Sequence, residues 1–540
     1  MTDVVRAWNC ALVNPFNEVV AKPDILIVGA GPVGLTSALI AHELGLVVRI
    51  IERRPSTQRA PAAHVINART FEIWRQIGVN VDELRKHAQS PDRAGKVHWV
   101  TRLGERVLGS LQYEQQGDDN LQFTPTPLRN LAQHHLEPIL VNELAKRNVH
   151  VEYSTTWLSQ IQDEYSVTST LTNGDNQSIV QSTWLLACDG SSSAVRQSTE
   201  ISMDGPDNLQ KFAMFHFRAD LSTLVGQHPG ILYWICDPLS GGALISHGGD
   251  NEWVYMQPVA EPPTEPHSDE ECKQIINKAL APNNIPLTML RQSAWTMTSQ
   301  LASDYLNSRV ILAGDAAHRF PPTGGMGLNT GIADAHNVLW KIDRIERGLD
   351  KTSSLHTYTQ ERRPIAERNA QASLDNAFKM FEVFMALGVD ADPNISAANM
   401  EKALQSPESL SALNDAINNQ ATHFDMFGLQ IGYRYETPHS TTPIPPLTDE
   451  VIRNYAPSHE PGSRLPHGWL QRDGHTISSL DLVPLGDYVV IAGPVFAGTD
   501  PCVKAGREFS DLTNWFGETL GLAAHQAVLV RPDQHIEKIL

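Results

Sequence analysis

The sequence predicts an α/β protein: a Rossmann-type unit, a β-sheet-rich region inserted into it, and a small α/β unit at the C-terminal end. Three observations predict it. DILIVGAGPVGLTSALIAHELGLVVRIIERR, residues 24–54, reads as buried strand, tight glycine turn, helix and second strand. Segments such as KFAMFHFRAD, ILYWICD, GALISHG and EWVYMQPV, between about 196 and 297, are short apolar-rich runs that suggest the strands of a sheet-rich region. Far downstream, SRVILAGDAAH and GGMGLNTGIADAHNVLWKI present strand, acid, glycine-rich turn and helix a second time.

Further elements are legible along the chain. TFEIWRQIGV and LRNLAQHHLEPILVNELAKR carry apolar residues at i, i+3 and i+4 and predict amphipathic helices. Strands are predicted from VHVEY to WLLACDG, broken at the hairpin signal NGD. Helix is predicted from Asn337 to about Met385 and through ANMEKALQSPESLSALNDAINN. The clustered prolines of ETPHSTTPIPPLTDE forbid helix and predict a linker. The remaining C-terminal segment, from about Val451 to Leu540, is long enough for a unit of its own. No internal repeat is visible.

A chain of 540 residues predicts two to four domains, at roughly 150 residues each. A formal net charge of −19, with no offsetting basic run, excludes nucleic acid as an expected partner. The longest apolar passages, ILIVGAG and YVVIAGP, are interrupted by glycine and fall short of the roughly 20 residues of a membrane helix. The N-terminal MTDVVRAWNCALVNPFNEVVAKP has no basic start and no continuous apolar segment, so it reads as a surface extension of a cytoplasmic protein. The five cysteines lack CxxC spacing, which predicts neither a disulfide framework nor a metal site. His134 and His135 are expected to point apart on a helix, as solvated or core histidines.

In GAGPVG, Gly29 permits the tight turn, Gly31 lets a pyrophosphate approach the backbone, and Gly34 lets the helix pack on the sheet. Pro32 and Val33 open that helix, whose N–H groups favour an anion. Glu52 closes the second strand, where a carboxylate accepts ribose hydroxyls. This is a dinucleotide signal that does not separate NAD from FAD. The second cradle favours FAD, whose ribityl chain and ring extend beyond the pyrophosphate. After Gly314, Asp315 is placed to take a ribityl hydroxyl; beyond Gly325, Gly327, Leu328 and Asn329 are placed to reach the polar edge of the ring.

With ACDGSSSAVR at residues 187–196 between the two cradles and HTYTQERRP after them, the chain resembles the group A flavoprotein aromatic hydroxylases, the family of p-hydroxybenzoate and phenol hydroxylases. PGSRLPHGWL resembles the thioredoxin-like third domain of the phenol hydroxylase branch. The likeness covers most of the chain and is specific for fold and flavin, less so for substrate. It implies an extension at 1–20 and a first part of the FAD-binding domain at 21–195, with a substrate-domain insertion near 90–125. It further implies a substrate domain at 196–300, a second FAD part with helices at 301–436, a linker at 437–450 and a thioredoxin-like domain at 451–540.

The same resemblance implies a non-covalent FAD, NADPH or NADH as reductant, O2, a small aromatic substrate and a homodimer. A hydroperoxide at flavin C4a would hydroxylate a phenol or other electron-rich ring. Asp189, Gly190 and Arg196 would serve FAD and NADPH, and Gln133 the flavin phosphates or ribityl chain. Ala62 stands where the family carries Arg, leaving Arg53 and Arg59 as neighbouring cations. His64 matches a position facing the substrate hydroxyl; it reads either as a general base or as a hydrogen-bonded structural residue beside a helix start. Pro321 and Pro322 would stiffen the loop beside the ring without offering an N–H. Pocket walls are expected from Tyr233, Trp234, His247 and Tyr255, about half of them facing elsewhere. Rival readings are a flavin monooxygenase of a polyketide- or quinone-type substrate, by hydroxylation or Baeyer-Villiger insertion, and a flavin-binding protein without turnover. A flavin halogenase is disfavoured by the absence of WxWxIP.

Overall fold

ILIV is apolar without alternation because the strand it forms, Ile25–Val28, is buried at every position, as befits a parallel strand covered on both faces. In the computed structural model, which describes residues 22–248, 251–263, 265–282, 284–498 and 502–540, this strand is central to a six-stranded sheet. The expected N-terminal extension, with Cys10, lies outside the described residues. Trp184–Ala187 and Val48–Ile51 flank the strand in parallel, and Val310–Leu312, from the second cradle, pairs in parallel with Trp184–Ala187. Sequence-distant glycine turns are thereby brought to the same edge of one sheet. The turn helix Pro32–Glu43 and the long helix Met326–Glu346 contribute Leu35, Leu39, Ile332 and Leu339 to a single core.

Lys96–Val100 and Val107–Gln112, from the predicted insertion, join the strands of the β-rich region in a seven-stranded sheet. Its alternation separates two environments. Phe215, Phe217, Tyr233, Trp253 and Tyr255 pack with Cys272 and Ile276 of the helix Asp269–Lys278. The intervening Met214, Trp234, Val254 and Met256 face a cavity shared with the six-stranded sheet.

The helix expected from LRNLAQHHLEPILVNELAKR begins only at Gln133. Arg129–Asn130 instead forms a short strand against Val65–Ile66. Further along the chain lie the helices Thr357–Ala386, Pro393–Ala403 and Pro407–Asn418. Among the described residues no helix is long and apolar enough to cross a membrane.

The C-terminal region holds a four-stranded sheet and the hairpin of Trp469–Arg472 with His475–Ser478. It docks through buried charge. Arg464, from PGSRLPHGWL, donates to Glu72 at 2.8 Å, and Arg69 donates to the Asp533 carbonyl at 2.7 Å. Arg531 donates twice to Glu361 at 2.8 Å. Glu72 is held below the usual carboxylate range: burial pushes it up, but the Arg464 and Arg69 guanidinium groups and the Thr124 hydroxyl together outweigh that.

Two buried histidines predict an acid-labile fold. Burial pushes His423 down to about 3 and His467 to about 4, so both stay neutral when folded but take a proton once unfolded. Their contribution is complete above the unfolded value of about 6.5 and is lost as pH falls below it, at about 1.4 kcal/mol per unit. Between pH 7.5 and 5 each should remove roughly 2 kcal/mol. Differential scanning calorimetry across that window checks the fall.

Candidate active site

A cavity of about 880 Å³ lies between the two large sheets, at the upper end of the roughly 300–1,000 Å³ typical of ligand pockets. The first cradle lines it with Gly29, Gly31, Pro32 and Val33, and the second with Asp315, Pro321, Pro322, Gly325, Gly327 and Leu328. Asp189 and Gly190 lie between them, and Gln133, whose side chain donates to Glu137 at 2.8 Å, borders them.

The glycines fall into two groups. Gly29 has φ +102°, and a Cβ there would lie 2.3 Å from the Cys188 carbonyl oxygen; at Gly34 it would lie 1.9 Å from the Gly29 carbonyl oxygen. The protein's own packing demands both, as it does Gly314, at φ +61° against Val33. At Gly31, Gly190 and Gly327 a Cβ would meet no protein atom within 4 Å, and all three line the cavity. Room is left there for a bound molecule. The buried Asp189 Oδ1 makes no hydrogen bond, while Oδ2 accepts from Val195 N at 3.2 Å. A cradle with open glycines and an unpaired carboxylate oxygen fits a hydroxyl- and phosphate-bearing cofactor.

Glu52 accepts hydrogen bonds from Ala30 N and Arg54 N, each at 2.9 Å, and from Arg54 Nε at 3.0 Å. Burial raises its pKa, but the Arg54 side chain and these N–H groups together hold it below the usual range. Arg54, which no sequence motif marks, is therefore the cation paired with Glu52. Arg53 lines the cavity beside Ala62, whereas Arg59 is exposed and does not.

Asp315 faces the cavity, and burial pushes its carboxyl up. Behind it stands Asp334, which the sequence does not single out. It accepts from His318 Nε2 at 2.6 Å, Arg362 Nε at 2.9 Å and Gly314 N at 3.2 Å. Burial would raise Asp334, yet His318 and the Arg362 guanidinium keep it lowered.

Several expected site residues stand behind the wall instead of on it. Asn329 accepts from Asn67 N at 3.0 Å and donates to Val65 O and Gly325 O at 2.9 and 2.8 Å, which uses its amide inside the protein. Arg196 donates to Ala316 O at 3.1 Å, so it braces the DG turn against the second cradle. Gly34 and Gly314 shape the backbone without lining the cavity. Tyr233 and Tyr255 are buried on the far face of the sheet, their hydroxyls donating to His228 O at 2.8 Å and Ser240 O at 2.6 Å. Strand alternation puts Trp234 on the cavity side, and His247, just past the strand Gly242–Ser246, lines it too.

His64 lines the cavity beside Tyr113 and His247, with ring centroids 6.3 and 5.7 Å away. Its Nδ1 is 3.0 Å from Asn130 Oδ1. With that amide oxygen turned to the ring, Nδ1 donates to it and Nε2 keeps its lone pair. Burial lowers the imidazole below its ordinary value. His134 and His135 do not point apart: their rings are 3.9 Å from centre to centre, both directed at Glu252.

Residues 22–373 match the protein family described as FAD binding domain. The chain is 30% identical to a 2,4-dichlorophenol 6-monooxygenase of Delftia acidovorans, over 96% of this chain and 94% of that protein. It superposes on the flavin-dependent monooxygenase PieE, solved with FAD and substrate, with a TM-score of 0.88 and 27% identity over 96% of each chain. Aklavinone-11 hydroxylase, solved with FAD and aklavinone, gives a TM-score of 0.79 and 25% identity over 96% of this chain and 95% of that one.

Proposed function

The chain belongs to the FAD binding domain family, and from that premise we propose how its site works as an FAD-dependent monooxygenase hydroxylating a phenolic or other electron-rich aromatic compound. The observation that carries the reading is that Gly29, Gly31, Pro32 and Val33 and, far away in sequence, Asp315 and residues 319–328 line one cavity together with His64. FAD, when bound, supplies the redox chemistry with NAD(P)H and O2; the protein supplies position, dryness and proton handling.

Gly31 and the helix start behind it would hold the pyrophosphate, Glu52 the ribose and Asp315 the ribityl chain. His64, oriented by Asn130 and kept neutral by burial, accepts the phenolic proton at Nε2. That transfer raises electron density at the ortho and para carbons. Pro321 and Pro322 border the reacting region without presenting an N–H, and Trp234 with Met256 makes an apolar wall that excludes water. A polyketide- or quinone-type aromatic, the alternative substrate class, draws support from the cavity's size and the likeness to aklavinone-11 hydroxylase. An exposed stripe on the helix Thr357–Ala386, with Phe378, Phe381 and Met385 54, 60 and 78% exposed, supports a homodimer; light scattering decides it.

The deciding experiment is a visible spectrum of purified protein followed by NAD(P)H oxidation over a panel of phenols and larger aromatics. Retained FAD and a hydroxylated product are expected. Colourless protein that refuses FAD, or hydrogen peroxide as the sole product with every substrate, would refute the reading. Asp315→Ala should weaken FAD binding about 10- to 100-fold, the loss of one charge-assisted hydrogen bond at about 1.5–3 kcal/mol. Flavin fluorescence titration of the refilled apoprotein measures it.

A further inference from the structure

We propose that His134, His135, His216 and Glu252 form a site for one divalent transition-metal ion of the zinc class. The residues come from three separate elements. His134 and His135 lie in the first turn of the helix Gln133–Lys146, His216 on the strand Gln210–Arg218 and Glu252 on the strand Glu252–Val259. In the register of those two strands His216 faces Val254, so His216 and Glu252 are diagonal neighbours on one face.

The three imidazoles converge on a single oxygen. Glu252 Oε2 is 2.9 Å from His134 Nε2, 3.5 Å from His216 Nε2 and 3.8 Å from His135 Nε2. The ligating atoms of His134, His216 and Glu252 all lie within 4.8 Å of one another. Zinc bonds of about 2.0–2.2 Å at tetrahedral angles separate ligand atoms by roughly 3.3 Å, so shifts on the order of 1–2 Å bring His134, His216 and Glu252 onto one ion, with His135, 3.8 Å from the same carboxylate oxygen, as the fourth ligand. His216 Nε2 is buried and makes no hydrogen bond. Unpaired buried nitrogens are costly unless something else engages them. Arg218 donates to the other carboxylate oxygen, Oε1, at 3.1 Å from Nε, fixing Glu252 with Oε2 turned to the histidines. Three imidazoles and one carboxylate suit zinc, and not magnesium or calcium, which prefer oxygen ligands.

Such an ion would tie the end of the substrate sheet to the helix start that carries Gln133. His247, 6.2 Å from His134 between ring centres, stands between this cluster and His64. The proposed role is therefore positional: fastening one wall of the cavity to the other.

The test uses full-length holoprotein stripped with a chelator and titrated with zinc against a chromophoric competitor. Elemental analysis counts metal per chain. One zinc per chain is expected, and His216→Ala and Glu252→Gln should each weaken it at least about 100-fold, with circular dichroism confirming that both variants fold. Cobalt on the unmodified protein gives an independent reading, since tetrahedral coordination produces intense visible bands to the red of the flavin. Absence of stoichiometric zinc, zinc bound equally by both variants (attachment to scattered surface histidines), or weak octahedral cobalt bands would overturn the proposal. The first of these would leave Glu252 hydrogen-bonded to His134 and paired with Arg218 alone.

Discussion

His64→Ala is expected to slow hydroxylation of a weakly acidic phenol by roughly 10²- to 10³-fold near neutral pH, the scale of a positioned general base. The reasoning rests on protonation state. Burial holds His64 below its ordinary value, so in the intact protein the base form persists into mildly acidic solution and the acid limb of the rate profile lies below about pH 6.5. Without the imidazole, only phenol that has already ionised in solution reacts well. The variant's rate should then climb with pH towards the phenol's own pKa, about 10 for an unsubstituted ring judged by tyrosine. Phenols made acidic by electron-withdrawing groups should be nearly indifferent to the substitution. A pH–rate series over phenols of graded acidity measures this. An equal loss for every phenol at every pH would make His64 a structural residue held by Asn130.

Asp334→Ala is expected to cost about 3–5 kcal/mol, the penalty for breaking a buried charge pair from one side. Asp334 is fully buried, and its partners His318 and Arg362 are 0 and 1% exposed in their side chains. Removing the carboxylate deprives the buried Arg362 guanidinium, His318 imidazole and Gly314 N–H of their shared acceptor. Because Gly314 precedes Asp315, the loss should also loosen the second cradle. A large fall in the thermal unfolding midpoint and a lower FAD content are expected together. Glu83→Gln is the comparison, since its pair with Lys86 is 56 and 71% exposed and solvent screening leaves it little effect on the midpoint. A midpoint for Asp334→Ala no lower than that of Glu83→Gln would show that the network carries no stability.

The strands and glycine turns are legible because their causes are local. ILIV without alternation means a strand buried on both faces, and the continuous apolar run WVYM in EWVYMQPV is likewise covered on both, by the helix Asp269–Lys278 on one side and the cavity on the other. Strand alternation states that half the residues face the cavity but not which half. Tyr233 and Tyr255 lose that place to Trp234, Val254 and Met256 because the helix Asp269–Lys278 covers their side. Asn329 departs from expectation for a related reason: its amide is free in the sequence, but the fold brings Val65, Asn67 and Gly325 to it. No local signal marks Arg54, rather than Arg53 or Arg59, as the partner of Glu52, because all three lie just beyond the same strand.

What the sequence determined by itself is the backbone scaffold: two strand–glycine–helix turns and a sheet-rich region, set by steric limits and apolar runs that act over a few residues. Tertiary structure alone decided which side chains meet. Glu72 and Arg464 are 392 positions apart and His64 and Asn130 are 66 apart. Such pairs are selected by packing and by the expense of leaving a buried charge or lone pair unmatched, a condition that exists only once the chain has closed around them.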